Sequence, residues 1–129
     1  MVWFASILVA AQAAFAAYTS WLSLSRPAVF AGMLGLELPG VSGVNEIRSQ
    51  YGGFFLAMAG VQAGAVAGLV PLVTGLIVGA MTFGGLAVGR VWSCLQDGGA
   101  RRYTPTIRAL LVIDPLAFLL SAAALAAIY

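Results

Sequence analysis

The chain has 129 residues, 62% of them hydrophobic and 8% charged, with a formal net charge of +2 and no histidine. Soluble domains carry about 25% charged residues, so this composition and a mean hydropathy of +1.02 argue against a soluble domain and for an all-α integral membrane protein. The six basic residues are all arginine and are scattered among apolar runs, which argues against a nucleic-acid surface; with no histidine and only one cysteine, Cys94, no metal site, no cofactor and no internal dithiol is expected.

Taken in order, Trp3 to Leu24 is the first expected span, with Trp3, Tyr18 and Trp21 towards its ends, where aromatic rings favour the interface. It lacks the basic n-region of a signal peptide and reads as a retained helix. Gln12 falls at its middle and should hydrogen-bond to a neighbouring helix. Residues 27–38 are apolar but too short to cross a bilayer, which predicts an interfacial or re-entrant helix. Pro39-Gly40 and Ser42-Gly43 give turn signals.

The second expected span covers residues 45–70, with Asn45 as N-cap. Two stripes run along it. Gly53, Ala57, Gly60, Gly64 and Gly68 form a small face on which another backbone can approach closely. Arg48, Gly52, Phe55, Ala59 and Gln62 form a second, more polar face about 100° away. Both stripes also read as plain packing surfaces. After the uncharged turn at Pro71, a third span is expected over residues 72–95, with Gly75, Gly79, Gly85 and Gly89 as further packing glycines. Residues 96–103 make a hydrophilic loop. Thr104-Pro105 reads as N-cap and first helical position, and the fourth span runs from 105 to about 128. Within it Pro115 is expected to kink the helix, because the ring clashes with the carbonyl of Leu111.

Together these elements predict one transmembrane domain over residues 1–129, a four-helix bundle with a short interfacial helix between helices 1 and 2. All six arginines, Arg26, Arg48, Arg90, Arg101, Arg102 and Arg108, fall on one side of it. The positive-inside rule then puts both termini on the non-cytoplasmic side.

Charge inside a membrane is costly unless paired. Glu46, Arg48, Tyr51, Arg90 and Asp114 enter from the same side and form a candidate buried charge cluster or ligand site, with Gln50 close by. Asp114 could pair with Arg90 or with Arg48.

The block Arg48-x-x-Tyr51-Gly52-Gly53, followed by Gly89-Arg90 and Asp97-Gly98, with Arg26-Pro27 ahead of the short helix and Gly35 within it, resembles a bacterial membrane family. This is domain-of-unknown-function family 4345, which is similar to the DoxX/DoxD-like four-helix group. The resemblance covers residues 27–125 and implies the fold and a location in the bacterial inner membrane. The family usually has a glutamate in the last helix; here the nearest acid is Asp114.

Three functional readings follow. The favoured one is a non-catalytic accessory or structural subunit, whose partners are membrane lipids and other membrane subunits or further copies of itself. The second is a binder or carrier of a small polar-headed or anionic ligand such as a quinone or a lipid. The third, implied by the resemblance, is a quinone-linked redox protein; the chain offers it no nucleophile–base pair or metal set.

Overall fold

The computed structural model describes residues 2–38 and 40–128. Six α-helices, α1 Val2–Ser25, α2 Pro27–Leu34, α3 Gly40–Ile47, α4 Phe54–Val66, α5 Leu72–Gln96 and α6 Pro105–Ala126, carry the fold, and there is no strand among the described residues. Three of them, α1, α5 and α6, are long and apolar enough to cross a membrane.

The second expected span is built differently from a plain helix. α3 and α4 are joined by a π-helical turn, Arg48–Gly53, in which the N–H of Phe54 reaches back five residues to the carbonyl of Ser49. Ile47, Gly53 and Phe54 all keep right-handed helical dihedrals, so the backbone runs on as one rod from Gly40 to Val66. The rod starts ahead of Asn45, which lies inside α3 instead of capping it. Burial of Ile47 against Leu22, Phe30 and Ala31 accounts for this, since packing overrides the local turn signal at Ser42-Gly43. The turn expected at Pro39 lies outside the described residues.

The rod also ends before Val70. Gly68 takes φ +76°, Leu69 N–H bonds to Gly64 O at 2.8 Å and Gly68 N–H to Ala65 O at 3.2 Å, which together make a Schellman stop. Gly68 is therefore a helix terminator and not a packing glycine. The same device ends α2, with Gly35 at φ +75° and Leu36 N–H on Ala31 O at 2.9 Å.

The helices bury a narrow interior. On α1 the buried positions Ala5, Val9, Gln12, Ala16 and Thr19 recur at alternating steps of four and three, the spacing of a single helix face. Ala5 and Val9 meet Ala65, Leu76 and Ala124 at one end. Ala16 meets Phe55, Met58, Ala59 and Phe83 further along. A polar layer links four helices. Gln12 Nε2 donates to Ser121 Oγ at 2.8 Å, and Gln62 Nε2 donates to Gln12 Oε1 at 2.9 Å and to Gly75 O at 3.5 Å. This is the partner expected for Gln12; buried amides of this kind hold helices at one mutual register.

Of the expected packing glycines, Gly75 and Gly79 let helices approach. A Cβ at Gly75 would sit 2.8 Å from Val9 Cγ1 and 2.9 Å from Ala65 Cβ, and one at Gly79 would overlap Gln12 Oε1. Gly60, Gly85 and Gly89 have nothing within 4 Å of that position, and Gly53 and Gly64 have only contacts at 3.9 Å or beyond. They do not dock helices within the chain. Gly52 and Gly84 fill the role instead, against Leu24 and Phe118.

α6 runs unbroken through Pro115. Its start matches the sequence: Thr104 Oγ1 accepts from Ile107 N–H at 3.3 Å, with Pro105 next. The same hydroxyl donates to Met33 O at 2.9 Å and ties α2 to the head of α6. In the preceding loop Tyr103 donates its hydroxyl to the Asp97 carboxylate, and that bond pushes the phenol up to about 12.

Candidate functional site

The charged end of the molecule holds the site. Arg90 lies on α5 and Asp114 on α6, and Arg90 Nε donates to Asp114 Oδ2 at 2.5 Å. The two open sequence alternatives are thus resolved in favour of Arg90. The pair is unequally buried, with side chains 19% and 1% exposed. The second carboxylate oxygen, Asp114 Oδ1, is buried and has no hydrogen-bond partner among the described residues. Buried polar atoms are normally paired, and leaving one unpaired costs about 1–3 kcal/mol, more for a charged group.

Beside the pair is a cavity of about 110 Å³. Five aromatic residues from four segments line it: Phe15 and Tyr18 of α1, Phe30 of α2, Tyr51 of the π turn and Phe55 of α4. Arg90 and Asp114 line it from α5 and α6, with Thr19 and Thr106 as further polar residues. Tyr51 is central to the aromatic wall. Its ring lies 5.0 Å from that of Phe30 and stacks at 6.3 Å on Phe55, with 8° between the planes.

The π turn explains which members of the expected cluster reach this point. An α-helical turn would have kept Arg48 on the same face as Gly52. The wider turn spends five residues on one circuit, so the buried residue before Gly52 is Ile47. Arg48 is carried to the exposed side, where its Nε donates to Leu24 O at 3.3 Å at the end of α1. Glu46 is exposed and joins no ion pair among the described residues. The turn is itself held in place by Ser20, whose hydroxyl donates to Gly52 O at 2.9 Å. The structure therefore unites Tyr51, Arg90 and Asp114 and leaves Glu46 and Arg48 outside.

Sequence reasoning missed Phe15, Phe30 and the π turn. Phe30 could have been flagged as the single aromatic of the short helix. The break in spacing between Ile47 and Gly52 was the only signal for the turn.

Two other hollows bracket this one. A more open cavity of about 300 Å³ lies towards the hydrophilic loop, lined by Ser93, Asp97 and Tyr103, and shares Arg90 and Leu34 with the aromatic cavity. A groove of about 660 Å³ runs along α5 and α6, lined by apolar residues such as Met81, Trp92 and Phe118. It has no charged group to orient a ligand, and the chemistry lies with the aromatic cavity.

No family model matches the chain, and no curated protein or solved structure matches it either.

Proposed function

We propose that the chain is a multi-pass protein of the bacterial inner membrane that binds a small molecule, apolar in body and polar in head, between Tyr51 and the Arg90–Asp114 pair. The observation that carries this is a buried carboxylate with one oxygen unpartnered among the described residues, on a residue that lines an aromatic cavity. Gln62 Oε1 is likewise buried without a partner among the described residues; Asp114 differs in lining an aromatic cavity, a hollow that a merely structural ion pair has every reason to exclude. That favours ligand binding over the accessory-subunit reading, for which no particular residue speaks. A quinone or lipid head group belongs to the class, and the resemblance to the DoxX/DoxD-like group points the same way. No reaction is assigned.

The rod from Gly40 to Val66 serves as the fourth span. Its segments of 8, 6 and 13 residues make about 40 Å at 1.5 Å per residue, more than the roughly 30 Å of a bilayer core. The arginines then share the cytoplasmic side and both termini face away from it. Green fluorescent protein fused after residue 129 is expected to stay dark and alkaline phosphatase at the same place to be active. The opposite pair of results overturns the topology.

The binding reading is tested by filling the cavity. Leu110 lines it and is half-buried, so Leu110→Trp puts an indole into the space. Native mass spectrometry of gently purified protein should show a small molecule on the wild type and none on the variant. An unchanged ligand content in the variant moves the site elsewhere. Protein partners in fixed stoichiometry, with no small molecule, return the accessory-subunit reading to first place.

A further inference from the structure

We infer that the cavity selects an uncharged ring compound bearing a hydroxyl group, a phenol, whose O–H donates to Asp114 Oδ1. This rests on the ligand-binding reading above and narrows it to one chemical class. Four observations lead there.

The first is size. At about 110 Å³ the space is on the order of the roughly 150 Å³ apolar cavity known to take up benzene. That is room for one ring. The second is the wall. Tyr51 stands between Phe30 and Phe55, and aromatic faces and edges favour another ring at offset or edge-on geometry.

The third is the hydrogen-bond sense. Asp114 Oδ1 is an acceptor without a donor among the described residues. A ketone, ether or ester oxygen placed against it would meet lone pairs with lone pairs. An O–H would complete the carboxylate.

The fourth is charge. Arg90 already balances Asp114. An ammonium ligand would bring a second cation into a low-dielectric space that holds one carboxylate, and a carboxylate ligand would face Asp114 as a like charge. Only a neutral donor leaves the balance intact. Access fits as well, because the cavity shares Arg90 and Leu34 with the more open hollow near the hydrophilic loop. A phenol is an apolar body with a polar tip, the kind of molecule that gathers where apolar and wet regions meet.

The test is calorimetric titration of the detergent-solubilised full chain with four probes: phenol, anisole, benzylamine and sodium benzoate. Phenol is expected to bind at one site per chain, at least tenfold more tightly than anisole and more tightly than either ion. Anisole partitions more strongly into detergent, which lowers its free concentration, so affinities are compared at free probe concentrations fixed by dialysis against protein-free micelles. Anisole binding as well as phenol, benzylamine or benzoate binding more tightly than phenol, or no phenol binding at all overturns the class. In the double variant Asp114→Leu with Arg90→Leu, the phenol-to-anisole ratio should fall to about one; an unchanged ratio overturns the role of Asp114. Leu110→Trp should exclude every probe. If that substitution displaces a co-purified molecule while phenol never binds, the cavity is a binding site and the phenol assignment alone fails. If it displaces neither probe nor co-purified molecule, the binding reading falls with it.

Discussion

Asp114→Leu is expected to destabilise the protein by about 3–5 kcal/mol, the usual result of deleting one partner of a buried ion pair. The cost arises from Arg90, which would keep its charge with the one carboxylate it bonds among the described residues gone. Partial exposure of Arg90, at 19%, places the expectation towards the lower end. Adding Arg90→Leu removes the stranded cation, and the double variant should recover much of the loss, because replacing a whole pair by apolar groups is often nearly neutral. Adding Arg48→Leu instead should recover nothing, since Arg48 bonds to the Leu24 carbonyl. Thermal and denaturant unfolding in one detergent measure the three variants beside the wild type. A single variant as stable as the Arg90 double would show that the pair contributes no coupling.

Gly75→Leu should be comparably damaging through packing. A bare Cβ at that point already comes within 2.9 Å of Ala65 Cβ and 2.8 Å of Val9 Cγ1, with α1 on one side and α4 on the other. Neither neighbour is the far end of a flexible side chain. A leucine must push the helices apart, and overpacking of this kind costs about 1–3 kcal/mol, occasionally more. Gly85→Leu and Gly64→Leu belong in the same experiment as controls. Gly85 has open space and Gly64 meets only ordinary contacts at 3.9 and 4.0 Å, so both should stay close to wild type. Equal loss at all three positions would mean that the exposed glycines are covered by something outside the chain.

Much of the helical layout was legible because hydropathy and helix punctuation are local signals. The bounds of α5 and α6 and the Thr104 cap follow directly from runs of apolar residues and a Thr-Pro step. Gln12 was legible for another reason: an amide surrounded by apolar residues needs a partner, whatever the fold. The glycine stripe of the second span was misread because spacing tells which residues share a face and not which way that face points. Ala65, next to Gly64, is the one that faces the interior, at 5% exposure. The site was half legible. That Asp114 pairs with an arginine followed from depth and charge, but the choice of Arg90 over Arg48 did not, and the aromatic wall is assembled from α1, α2 and α4 at long sequence separation, which no local pattern encodes. Arg48 was misplaced by a single non-α turn.

That turn gives the chain a residue it can spare. The π segment is one residue longer than an α-helix needs for the same circuit. Loss of one codon within Arg48–Gly53 would let the segment wind as α-helix with α3 and α4 within about 40° of their present register, because four α-helical residues turn through about 400°. Ile47 would keep its face towards Leu22 and Phe30, whereas the loss of one residue in the middle of α5, which has none to spare, would swing one half of that helix by about 100° against the other. Between Gln96 and Tyr103, where Gly98 and Gly99 already take positive φ, the same deletion would only shorten a loop. Single-codon deletions should therefore be tolerated in that loop, better tolerated in the π turn than in α5, and depleted from the middle of α5 in any library of this gene selected for a folded product.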